Sequence, residues 1–76
     1  MSVPEMKEYS NGSKEWRLNG KYHRTDGPAI EKSDGTNYWY LNGNEVTWFE
    51  VYLHNLRAGD NQTAKRILES EVADRL

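Results

Sequence analysis

The chain has 76 residues, a net charge of −2 and no cysteine. One small domain of that size removes roughly 60% of its unfolded surface on folding, and neither a disulfide framework nor a thiolate zinc site can reinforce it. The interspersed charges exclude the basic field that general nucleic-acid binding requires, and no apolar run approaches the roughly 20 residues of a bilayer span.

The first segment, MSVPEMKEYS, lacks the charged start and apolar centre of a signal peptide, so a cytoplasmic location is the expectation. The mean hydropathy of −1.02 would suit a disordered chain, but three Trp, five Tyr and one Phe are large side chains that a folded core accommodates. A shift of 23 residues then aligns Glu8, Ser10, Gly12, Trp16, Leu18, Asn19 and Gly20 with Glu31, Ser33, Gly35, Trp39, Leu41, Asn42 and Gly43. These identities, with Trp and Leu at fixed phase, define an internal duplication over 8–21 and 31–44.

Each copy reads as a β-hairpin followed by a second tight turn. Asn11-Gly12 and Asp34-Gly35 are favoured pairs for a type I′ turn, and Asn19-Gly20 and Asn42-Gly43 supply the next turns. Trp16 with Leu18, and Trp39 with Leu41, alternate with more polar neighbours at period two and mark one face of an antiparallel meander over 5–46. Six strands are predicted, at about 5–10, 13–18, 21–24, 28–33, 36–41 and 44–46, with Asp26-Gly27-Pro28 as a turn. A two-residue loop at Asp34-Gly35 predicts Ile30 opposite Trp39 and Pro28 opposite Leu41. In the first copy two registers remain open: a two-residue loop sets Lys7 opposite Trp16, and a three-residue loop sets Met6 there and pairs Lys7 with Glu15.

The pattern turns helical at Thr47. Thr47 and Glu50 form a capping box, Val46 and Val51 are spaced for a hydrophobic staple, and Gly59 suits the C′ position, which predicts a helix over 47–58. Trp48, Phe49, Val51, Tyr52, Leu53 and Leu56 surround most of it, so it is expected to be buried on more than one side, across the Trp16/Trp39 face of the sheet. A second helix is predicted over 61–75, capped by Asp60 or Asn61. Its stripe of Ala64, Ile67, Leu68, Val72 and Leu76 closes over the first helix or meets a partner. The fold class is therefore α+β: an antiparallel β-meander of two hairpin repeats packed against two C-terminal helices.

The stretch LNGKYHRTDGPAIEKSDGTNYWYLNGNEVT resembles a divergent MORN-like repeat of small bacteriophage and bacterial proteins, with the pattern NGKxHRxDGPAxxxxDGxxxWYxNGxxH. The match runs through Asn19, Gly20, Lys21, His23, Arg24, Asp26, Gly27, Pro28, Ala29, Asp34, Gly35, Trp39, Tyr40, Asn42 and Gly43. The resemblance implies a β-meander of hairpins and a phage-encoded accessory protein acting in the host cytoplasm, and it supplies no catalytic residue. The chain departs from the pattern after Gly43, where Asn44-Glu45-Val46 leads into the helix, so the array is expected to stop at two copies.

The residues offer little catalytic chemistry. His23 and Asp26 could form an acid/base pair or metal site, but a scaffold role is the stronger reading: Arg24 and Asp26 hydrogen-bonding the turn backbone, His23 packed beside Trp16. Glu50 and His54 are in the order E-x-x-x-H without a third metal ligand, and Ser10, Ser13, Ser33 and Ser70 have no base at a useful spacing. No catalytic residue, metal ligand or cofactor is predicted. The surface left over is more informative. Tyr38 and Tyr40 lie opposite the Trp39 face, where the first copy has Glu15 and Arg17, so Tyr38, Tyr40, Arg17 and Tyr22 are predicted to share an open sheet face. Aromatic residues with Arg make interaction hot spots, and the competing reading is cross-strand stiffening. The expected function is non-enzymatic binding of a host protein, a defence or metabolic factor. The alternatives are self-assembly through the helix over 62–75 or a sheet edge, and single-stranded nucleic acid on the tyrosines.

Overall fold

A computed structural model describes residues 3–72. Six strands, β1 (Glu5–Glu8), β2 (Lys14–Leu18), β3 (Lys21–Tyr22), β4 (Ile30–Glu31), β5 (Asn37–Leu41) and β6 (Asn44–Val46), precede two helices, α1 (Trp48–Arg57) and α2 (Asn61–Val72). The sheet is antiparallel, in the order β1-β2-β4-β5-β6, with β3 paired to β2 beside β4. Both helices lie on one side of it. The principal extents of 33 × 32 × 18 Å match one sheet carrying one helical layer. The α+β meander read from the sequence is the architecture of the chain. The predicted end of the second helix, with Leu76, lies outside the described residues.

Both long hairpins use three-residue loops. Tyr9 N donates to Ser13 O at 2.8 Å and Gly12 N to Tyr9 O at 2.9 Å; Lys32 N donates to Thr36 O at 2.8 Å and Gly35 N to Lys32 O at 3.0 Å. Gly12 and Gly35 take φ of 94° and 92°, the left-handed residue that ends such a loop. The Asn11 and Asp34 side chains accept from Ser13 N and Thr36 N, each at 2.9 Å, and fix the bend locally. The type I′ turns stand instead at Asn19-Gly20 and Asn42-Gly43, where all four residues have positive φ.

That loop length corrects the predicted second register. Ile30 pairs with Tyr38, not Trp39, and Glu31 with Asn37. A one-residue shift moves Ile30 to the opposite face of the sheet. In the first copy the three-residue alternative holds, with Met6 opposite Trp16 and Lys7 opposite Glu15.

Strands predicted at 21–24 and 28–33 shrink to the short β3 and β4, which together form one interrupted partner of β2. His23 N donates to Trp16 O at 3.1 Å, whereas Trp16 N donates to Ala29 O at 2.8 Å. The residues between, Arg24 to Pro28, leave the ladder and fold over the Trp16 ring. Pro28 therefore faces no strand residue at Leu41, contrary to the predicted pairing. Ala29, fully buried, occupies the row between Trp16 and Trp39.

The core centres on the second copy alone. Trp39, Val51 and Ile67 are buried together, with Leu41, Val46, Trp48 and Tyr52 packed against them. Val51 and Ile67 each contribute roughly 1.5–3 kcal/mol by burial. Trp16, expected beneath the helices, is covered by the Arg24 loop instead. Thr47 caps α1, its Oγ1 accepting from Glu50 N at 3.3 Å. Gly59 N donates to Leu56 O at 3.1 Å and Asp60 N to Asn55 O at 2.9 Å, which closes α1 in a Schellman motif. Asp60 then caps α2, accepting from Thr63 N at 3.1 Å, and hydrogen bonding from the Thr63 side chain, then from this N–H, holds its carboxyl below the usual range. Helix α1 packs on β5 and on α2 yet leaves Phe49 and Leu56 exposed, so its burial is narrower than the apolar pattern predicted.

Candidate functional site

Cross-strand pairing fixes which side chains share the face away from the helices. Glu5 stands opposite Arg17 and Arg17 opposite Tyr22; Lys7 stands opposite Glu15, Glu15 opposite Ile30 and Ile30 opposite Tyr38; Tyr40 stands opposite Glu45. The predicted residues Tyr38, Tyr40, Arg17 and Tyr22 therefore all lie on the open face. The structure draws three of them into contact. The Tyr22 and Tyr40 rings are 5.2 Å apart at 45°, and the Arg17 guanidinium lies 4.7 Å over the Tyr22 ring. Tyr38 stands apart, beneath the Lys32 ammonium at 5.3 Å.

At the centre of this face is Glu15, whose counterpart in the second copy is Tyr38. Its carboxylate accepts from Tyr9 Oη at 2.9 Å, Arg17 Nη2 at 3.2 Å and Tyr22 Oη at 3.2 Å, and Tyr22 Oη itself accepts from Arg17 Nη2 at 3.1 Å. Burial pushes the Glu15 carboxyl up, but hydrogen bonds from Tyr9 and Tyr22 and the Arg17 charge outweigh it and hold the group below its ordinary value. The same bond to Glu15 raises the Tyr9 hydroxyl, and the bond to Tyr22 raises Arg17. The result is two tyrosines, Tyr9 and Tyr22, and one arginine locked around an ionised carboxylate, with Tyr40 packed against the Tyr22 ring. Tyr9 and the hub role of Glu15 escaped the sequence reading, which left the first register open.

The scaffold motif occupies the other face. Arg24 lies 3.7 Å over the Trp16 ring, its Nε donates to Asp26 Oδ1 at 2.7 Å, and its Nη1 donates to Pro28 O at 3.1 Å and Glu31 Oε2 at 2.9 Å. Gly27 backs the guanidinium so closely that a Cβ there would lie 2.8 Å from Arg24 Cζ. His23 and Asp26 are not partners. His23 Nδ1 accepts from Asn42 N at 3.0 Å, and loss of water, followed by the nearby His54, lowers its pKa. Asn55 on α1 is buried and donates to Thr25 O at 2.7 Å and Val51 O at 3.0 Å, fastening the loop to the helix. The expectation that Arg24 bonds turn backbone holds, through Pro28 O. Its guanidinium covers the Trp16 ring, and His23 stands across the strand pair from Trp16, its N–H on the Trp16 carbonyl.

Among the described residues no group of three or more His, Asp or Glu is placed to hold a metal ion, and no helix is long and apolar enough to cross a membrane. Comparison of the chain with protein-family models, curated proteins and solved structures gives no match.

Proposed function

We propose that the chain is a non-enzymatic binding protein that docks on a host protein, such as a defence or metabolic factor, through the open face of its sheet. The observation that carries this reading is the one-sided helical layer, which leaves the Tyr22–Tyr40–Arg17 contact at the surface. Tyrosine and arginine held rigid before binding lose little side-chain freedom on association, and both are favoured at interface centres. The resemblance of the HRTDGPA segment to phage repeats supports a phage-encoded accessory protein as the setting. Carboxylates at Glu5, Glu15 and Glu45 share the face with the tyrosines, which favours a protein surface over a phosphate backbone as the ligand.

The test is capture from host lysate with the immobilised chain beside a Tyr22→Ala/Tyr40→Ala variant whose circular dichroism is unchanged. A protein retained by the wild type and lost from the variant supports the reading. Identical recoveries would remove the face from consideration.

A further inference from the structure

We infer that two copies of the chain pair through β1, joining their sheets edge to edge in an antiparallel dimer. Among the described residues, strand β1 has β2 on one side only, and all four of its residues are exposed. Hydrogen bonds alternate along an antiparallel pair. Tyr9 bonds Ser13 across the hairpin, so Lys7 and Glu5 also bond inward to β2. The backbone of Met6 therefore faces away from β2. The partner strand agrees: Trp16, opposite Met6, spends its N–H on Ala29 and its carbonyl on His23.

A two-fold axis at Met6 satisfies those outward groups. Each Met6 N–H donates to the partner's Met6 carbonyl, and each Glu8 N–H to the partner's Pro4 carbonyl; Pro4 itself has no N–H to leave unpaired. The same register sets Glu5 opposite the partner's Lys7, and Lys7 opposite the partner's Glu5, on the open face. Across the seam the charges then alternate as Arg17, Glu5, the partner's Lys7, the partner's Glu15. On the other face Met6, half exposed beside Trp16, covers the partner's Met6.

The second edge strand lacks this fit. Tyr40 O accepts from Arg24 N, so the Tyr40–Glu45 pair is not hydrogen-bonded and the Glu45 backbone faces outward. A two-fold axis there would set Glu45 against itself, which is unfavourable. The edge that is free of like-charge opposition is β1.

Sedimentation of the full chain over a wide concentration range tests the pairing. The wild type is expected to reach twice the 8.9 kDa chain mass. Glu5→Lys and Lys7→Glu each set like charges opposite one another twice and should weaken the dimer about tenfold or more. Mixed together, the two variants complement and should recover the dimer as a heterodimer. Met6→Pro removes the outward N–H without touching the β1–β2 ladder and should leave a folded monomer by circular dichroism; it decides the matter should either charge variant unfold. A wild type that stays monomeric overturns the inference, as does a dimer indifferent to these changes or charge variants that do not recover on mixing. The readout is mass, independent of any host protein, so this result and that of the lysate experiment stand apart.

Discussion

The Arg24 guanidinium stacks 3.7 Å over the Trp16 ring, in the place where the second copy of the repeat puts a helix over Trp39. The 23-residue shift maps Thr25 onto Trp48, the first residue of α1. Each tryptophan thus receives a cover from the same point of its repeat: a loop in the first copy, a helix in the second. With so small an apolar core, the polar fastenings of that loop weigh heavily in the stability of the chain.

Arg24→Lys keeps the charge but loses the planar fork that serves Asp26, Pro28 and Glu31 together. It is expected to cost about 2 kcal/mol, read by urea unfolding. Gly27→Ala should fall in the same range by displacing the guanidinium, and the double variant should cost clearly less than the sum of the two. Additive losses would show that the two residues act separately.

Asn55→Ala removes the donor to Thr25 O and Val51 O in a buried setting. A loss of about 1–3 kcal/mol is expected, with faster hydrogen exchange in residues 24–28 before it spreads to α2. Exchange that rises uniformly would contradict a specific tie between loop and helix.

His23 gives the fold a pH dependence of known sign. Its pKa is lower folded than unfolded, so its contribution is complete above the unfolded value of about 6.5 and is lost as pH falls through the folded value. Protonation also takes the Nδ1 lone pair from Asn42 N. The melting temperature should drop between pH 7 and mildly acidic buffer, and His23→Gln should flatten that drop.

Glu15 should titrate below an ordinary glutamate, and Tyr9→Phe or Tyr22→Phe should each raise its pKa by deleting a donor. The carboxyl carbon shift in an NMR titration reads this directly. Because the folded value is depressed, the stabilisation from Glu15 is present above the unfolded value and disappears as pH falls through the folded one.

Much of this was legible in the sequence, and the exceptions share a cause. The turn dipeptides and the phase of Trp and Leu defined strands, the repeat and the helical layer, and parity alone put Tyr38, Tyr40, Arg17 and Tyr22 on one face. The second register misled because Asp34-Gly35 suits loops of two or three residues, and the choice rests on the backbone of Asp34, whose side chain bonds Thr36 N. The sequence sets Trp16 under the helices with Trp39, and nothing in HRTDGPA announces that Arg24 turns back onto the ring. Tyr9 was missed because its partner, Glu15, becomes its neighbour only in the three-residue register.

The claim that the open face of the sheet docks a host protein is tested most directly by Tyr22→Ala/Tyr40→Ala, followed by unfolding and by affinity for the protein captured from host lysate. The account predicts a variant that still unfolds cooperatively with modest loss of stability, while affinity for that protein falls at least about a hundredfold, the scale of a hot-spot pair. A variant that binds as the wild type does, or that fails to fold, would contradict it.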